Sequence, residues 1–226
     1  FEEVMPLLSG KKELILAAFY RAYSNFHQKA YQRSAYDFRY FYETYPNAPQ
    51  AEEALYMQGY ALYLTSPAIQ VDQTSTQEAI QALQTYREHY PEGTYEDKAT
   101  QYLTALHSKL ARKAFNNAKL YHQLSHYQAA VIALTNFQQD FPNDVLNEEA
   151  AYLKTDAQYK FVQKGTIGEQ EDRLRTTLMY CHNFLDQYPA SCYTQAVEKI
   201  YEDTLTQINK LTQAPKPWRL CHTRPI

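Results

Sequence analysis

The side chains best suited to chemistry are few and poorly grouped. His122 and His126 stand four apart, the spacing that presents two imidazoles to a zinc ion on one helical face. Gln123 to Ser125 reads as a turn between them, and no third ligand stands at a matching spacing, so no metal is expected. Cys181, Cys192 and Cys221 form neither a disulfide framework nor a metal pattern. Cys181 and Cys192 flank the Tyr188-Pro189 turn with an offset of roughly 10 Å of helix rise, too far for a bridge. They are expected as free thiols packed like small apolar residues. There is no Gly-rich phosphate loop, and no serine or cysteine lies in a nucleophile motif. The carboxylate pairs Glu52-Glu53 and Glu148-Glu149 fall at expected helix starts, where they favour the macrodipole. These residues predict a protein that is not an enzyme and carries no cofactor.

Charge offers a second kind of chemistry. Between Lys98 and Gln139 there is no Asp or Glu. Lys109, Arg112 and Lys113, at i, i+3 and i+4, share one face of a helix opposite its apolar stripe. That face is either a solvated basic surface or a docking patch for an acidic partner. Trp218 sits in an extended, Pro-rich basic tail over 212–226 and reads either as an anchor for a partner's groove or as a loose end. A net charge of -3 and a pI near 6.2 give no reason to expect nucleic acid.

The elements that must position these groups are announced by an aromatic-proline dipeptide. It occurs at Tyr45-Pro46, Tyr90-Pro91, Phe141-Pro142 and Tyr188-Pro189, each time closing an amphipathic stretch. Small and large residues recur at fixed offsets before each proline: Ser34, Phe38 and Phe41; Ala79, Leu83 and Tyr86; Ala130, Leu134 and Phe137; and, more weakly, Thr177, Cys181 and Phe184. The small residue lets two helices approach, the large ones fill the groove, and proline stops the helix, as in tetratricopeptide repeats. With 22 Tyr and only 5 Gly, composition suits a thin helical body better than a sheet.

Helices are predicted over Lys12–His27, Tyr31–Tyr45, Pro49–Leu64, from Thr74 or Ser75 to Tyr90, about 95–121 without a break, His126–Phe141, Leu146–Val162, Glu171–Tyr188 and Ser191–Leu211. Thr74-x-x-Gln77 or Ser75-x-x-Glu78 is the predicted capping box. Pro46, Pro91, Pro142 and Pro189 are 45, 51 and 47 residues apart, against about 34 for a minimal repeat. The excess falls in an insertion over 65–75, in the long helix and in a Lys164–Gln170 loop. Phe1, Val4, Leu7 and Leu8 read as part of a repeat helix, so the native chain is expected to begin upstream. No run of about 18 apolar residues spans a membrane.

Two stretches go beyond a generic repeat. One is Ser66-Pro67, then Asp72-Gln73, then Thr76-x-x-Ala79-Ile80. The other is the helix with Leu106, Lys109, Leu110, Ala111, Lys113, Phe115, Ala118, Lys119, Leu120 and Tyr121, continued by Tyr127-x-Ala129-Ala130 and Phe141-Pro142-Asn143. Together they resemble the BamD (YfiO-like) family of tetratricopeptide lipoproteins of the outer-membrane β-barrel assembly machinery. The likeness runs over nearly the whole chain; His107 replaces a usual Arg, and the segment after Leu211 has no counterpart. The resemblance implies an all-α tetratricopeptide-repeat solenoid of about five repeats over 1–211 with a C-terminal cap helix. It implies a scaffold at the periplasmic face of the outer membrane, held by a lipid anchor that is not in this chain. The implied partners are the POTRA domains of a BamA-like barrel protein, bound through the C-terminal repeats, unfolded outer-membrane proteins, received at the N-terminal repeats, and accessory lipoproteins. The competing class is a generic repeat adaptor of another cell-envelope or secretion complex.

Overall fold

Four helices stop in the same way. Tyr45, Tyr90 and Phe141 sit one residue past a helix with φ near -130° and ψ near 60°, and their N–H groups, like that of Tyr188, donate to the carbonyl four residues back. The proline that follows has no N–H to continue the ladder. The computed structural model describes residues 5–8, 11–162 and 167–213. Among these the chain is all α, with a 3-10 turn over Met5–Leu8 and helices α1 (Glu13–His27), α2 (Tyr31–Thr44), α3 (Ala51–Thr65), α4 (Thr74–His89), α5 (Glu96–Gln123), α6 (Tyr127–Asp140), α7 (Asn147–Val162), α8 (Ile167–Gln187) and α9 (Thr194–Gln213).

Two compact units form, divided within α5 after Lys113. In the first, α1 packs on α2, α2 on α3 and α3 on α4, around Phe19, Phe38, Phe41, Leu55, Leu83 and Tyr86. In the second, α6 packs on α7, α7 on α8 and α8 on α9. All twelve residues at the repeated offsets are buried, from Ser34 to Phe184. Ser34 shows why the small position matters: its hydroxyl reaches the Ala22 carbonyl of the facing helix at 3.0 Å.

The units are related in sequence at an offset of 96 residues. Lys29 and Ser125 both have φ near 60°. Each closes a Schellman turn, with Lys29 N–H to Phe26 and Ala30 N–H to Asn25 in one, and Ser125 N–H to His122 and His126 N–H to Tyr121 in the other. Without a gap the same offset aligns Phe41 with Phe137, Pro46 with Pro142, Glu52-Glu53 with Glu148-Glu149, and Tyr56 with Tyr152.

Several predicted boundaries are corrected. Pro49 lies in the turn before α3, which starts at Ala51. No capping box starts α4; the Asp72 carboxylate takes the Thr74 N–H at 2.9 Å instead. Helix α8 begins at Ile167, inside the predicted 164–170 loop, and α9 begins at Thr194 and passes residue 211 to reach Gln213. Cys181 is buried and Cys192 exposed, so only the first packs as an apolar residue. Burial pushes the Cys181 thiol up to about 12. Phe1, Val4 and the tail with Trp218 and Cys221 lie outside the described residues.

Two stability changes of opposite sign are expected. Cβ at Gly59 would lie 2.6 Å from Leu83 Cδ2 and 2.8 Å from its Cγ, and Leu83 is fully buried. Gly59→Ala is therefore expected to destabilise by about 1–2 kcal/mol, the overpacking cost exceeding the gain in helix propensity. Ser125→Gly, at a left-handed position, is expected to stabilise by roughly 0.5–1 kcal/mol. Urea unfolding of the two variants checks both signs.

Candidate interaction surfaces

The loop between α3 and α4 is held by a relay of hydrogen bonds. Lys109 Nζ on α5 donates to Ser66 Oγ at 2.7 Å and to the Pro67 carbonyl at 3.2 Å. Ser66 Oγ lies 2.6 Å from Thr76 Oγ1, which donates to Gln73 Oε1 at 2.7 Å. Gln73 Nε2 in turn donates to the carbonyls of Ala68 and Val71 at 2.8 and 3.0 Å. Lys113 Nζ closes the set on the Val71 carbonyl at 2.5 Å. Gln73 and Thr76 are buried, so each polar atom needs such a partner. A hydrogen-bond relay of this kind strengthens along its length.

This corrects the reading of the basic trio as one outward face. Lys109 and Lys113 are half-buried and turned onto the loop, whereas Arg112 is exposed. Arg112 has no polar partner among the described residues. Lys119 is also spent internally, on Glu149 at 2.6 Å. Tyr121 is 43% exposed, in line with Leu120 at 50% and Leu124 at 57%, and these three make an apolar patch at the end of α5.

The paired glutamates tie neighbouring elements as well as starting helices. Glu52 accepts from Tyr86 OH at 3.0 Å and Thr94 N–H at 2.5 Å, and Glu53 accepts from Tyr23 OH. Glu148 accepts from Ser191 Oγ at 2.5 Å. The partners follow one rule: the first glutamate reaches forward in the chain and the second reaches back. Each pair is followed by a stacked tyrosine pair, Tyr56 on Tyr95 at 4.4 Å and Tyr152 on Tyr193 at 4.3 Å. Tyr60 and Tyr63 both pack on Tyr102, at 5.1 and 4.4 Å. These rings therefore pack helices. Burial, reinforced by neighbouring tyrosines, holds the Tyr56 hydroxyl well above its ordinary range.

His122 is likewise occupied, with Nε2 at 2.5 Å from Asp156 Oδ2, an oxygen that also accepts from Lys160 at 2.7 Å. His126 precedes α6 on the far side of the turn. Among the described residues no cluster of three or more His, Cys, Asp or Glu could hold a metal ion.

Open surface lies in clefts within each unit. The first, about 700 Å³ between α2, α3 and α4, is lined by Tyr36, Arg39, Tyr42, Leu55, Leu62 and Thr85 among others. Tyr36 is 67% exposed there, and Arg39 pairs with Glu43 at 2.8 Å along one wall. The second, about 420 Å³, lies between α6, α7 and α8. Among the described residues no helix is long and apolar enough to cross a membrane.

Lys109→Met is expected to raise amide exchange over 68–74 while leaving α1 and α2 unchanged, at a cost of about 1 kcal/mol. Equal exchange throughout, followed by mass spectrometry, would remove the relay. Burial opposes ionisation of Asp156, but hydrogen bonds from His122 and Lys160 outweigh it and hold the carboxyl below its ordinary value. With a depressed folded pKa, its contribution is complete above an unfolded pKa of about 3.9 and drains as pH falls through the folded value. Asp156→Asn is therefore expected to lower stability at neutral pH and to flatten its decline on acidification, as read by unfolding midpoints across pH.

Comparison with known proteins adds two findings. Among curated proteins none matches the chain. A family model described as an outer membrane lipoprotein, YfiO, matches residues 16–172, a span from α1 into α8 that includes the whole loop relay and all of α5. The chain thus belongs to the YfiO family of outer membrane lipoproteins, a BamD-like family.

Proposed function

We propose that the protein is a non-enzymatic scaffold subunit of the β-barrel assembly machinery. In this reading it is held at the periplasmic face of the outer membrane by an upstream lipid anchor. It binds the POTRA region of a BamA-like barrel protein and helps deliver unfolded outer-membrane proteins for insertion. The observation that carries the reading is the family match over residues 16–172. The surfaces support it in kind. The first unit's cleft combines the exposed Tyr36 ring with polar walls, which suits an extended segment bearing aromatic side chains. The patch of Leu120, Tyr121 and Leu124 has the apolar character of an interface centre.

Arg112 is the member of the basic trio that this reading offers to an acidic partner, because Lys109 and Lys113 are held by the loop. The generic-adaptor alternative draws on one fact: the match ends at residue 172, before most of α8 and all of α9.

Affinity purification from envelope membranes tests the proposal. A large barrel protein with POTRA domains is expected to co-purify. Arg112→Glu is expected to weaken the association and reduce its sensitivity to salt, with no change in unfolding midpoint. Tyr36→Ala is expected to lower cross-linking to unfolded barrel segments about tenfold. Recovery of a different envelope complex, with no barrel protein, would favour the adaptor.

A further inference from the structure

We infer that the cleft between α6, α7 and α8 is a carboxylate-binding site built around Lys154. The inference rests on this cleft alone and is independent of the role proposed above. Lys154 projects from α7, and its Nζ donates to Gln138 Oε1 at 2.5 Å and lies 4.8 Å from the Tyr180 ring centroid. Neither neighbour carries a charge. In the same unit Lys119 and Lys160 each meet a carboxylate, at 2.6 and 2.7 Å. Among the described residues no carboxylate lies within ion-pairing distance of Lys154. Burial alone pulls its pKa below the ordinary lysine value, so the ammonium is partly desolvated with no carboxylate at pairing distance to offset the loss.

A desolvated cation in an open cleft attracts an anion, because the entering charge restores what burial removed. The rest of the lining sets which anion. Asn183 and Gln187 line the same cleft, and their side chains make no hydrogen bond within the chain among the described residues. Their amide N–H groups can donate to the lone pairs that Lys154 leaves unmet. Asp186 also lines the cleft and disfavours a second negative charge. A carboxylate, with one charge and two acceptor oxygens, fits better than a phosphate dianion.

The first unit shows that the charge is not a by-product of the repeat. Gln58 stands 96 residues before Lys154 and lines the first cleft, whose wall holds the Arg39–Glu43 pair. That cleft has no lysine in its lining, and Glu78 adds a second carboxylate beside Glu43. Carboxylate recognition therefore belongs to the second unit. Two polypeptide groups present such a carboxylate, an acidic side chain and a chain end.

The whole chain, labelled with carbon-13 at the lysine ε position, is titrated by NMR with three small probes. N-acetylglutamate N-methylamide offers a side-chain carboxylate, N-acetylglutamine an α-carboxylate, and N-acetylglutamine N-methylamide neither. The expected result is a saturable shift of the Lys154 resonance with a carboxylate probe, and an upward move of its titration midpoint. The neutral probe is expected to give none. Whichever carboxylate binds more tightly identifies the source. Lys154→Met, which keeps an unbranched side chain one atom shorter and without charge, is expected to weaken binding about tenfold or more. No shift up to the solubility of either carboxylate probe would overturn the proposal. So would an equal response to the neutral probe, or tighter binding of inorganic phosphate.

Discussion

Every helical hairpin here depends on a small residue placed where two backbones cross. Ser34, Ala79, Ala130 and Thr177 are fully buried at equivalent positions, and Gly59 leaves no room for even a methyl group beside Leu83. Close approach is what lets the aromatic residues that follow, such as Phe38, Phe41, Tyr86, Phe137 and Phe184, reach across and be enclosed. Each fully buried large side chain contributes about 1.5–3 kcal/mol, and thin layers of helices have few other sources of stability. The polar ties are arranged around that packing. Glutamates at the starts of α3 and α7 reach both neighbours, and stacked tyrosines bridge the same junctions.

How much of this was legible varied with how local the signal is. Helix ends at Tyr45, Tyr90, Phe141 and Tyr188, and the buried offsets before them, follow from proline chemistry and from 3.6-residue periodicity, both readable in a short window. The role of Lys109 is not local. Its partners, Ser66 and Pro67, are 43 and 42 residues away, and a helical wheel shows only a cation on the polar side. The 96-residue correspondence was available in the repeated Glu-Glu-Ala and aromatic-Pro-Asn segments, but attention to proline intervals hides it, because the intervals are unequal. The early start of α8 was masked by Gly165 and Gly168, which signal a loop, although a first helical turn tolerates glycine. Lys154 was unremarkable as a sequence position; only the absence of a nearby carboxylate distinguishes it.

The placement of the residues in the α3–α4 loop and on α5 separates architecture from recognition. Ser66, Pro67, Gln73, Lys109 and Lys113 are joined by hydrogen bonds within one loop and one helix. Asp72 caps the start of α4. Their spacing is thus used by a partly buried relay. Surfaces free to meet other molecules lie elsewhere, at Arg112, at Leu120, Tyr121 and Leu124, and in two clefts, of which one is lined by a lysine and the other by Arg39 with Glu43 and Glu78. One body plan, repeated within the chain, carries surfaces of different chemistry.

The role in barrel assembly is tested most directly in the cell. Depleting the protein and following outer-membrane barrels by their heat-modifiable mobility should show folded barrels falling as unfolded precursors accumulate in the periplasm, with recovery on re-expression of the intact chain. Folded barrels maintained at undiminished levels through depletion would contradict a part in their assembly.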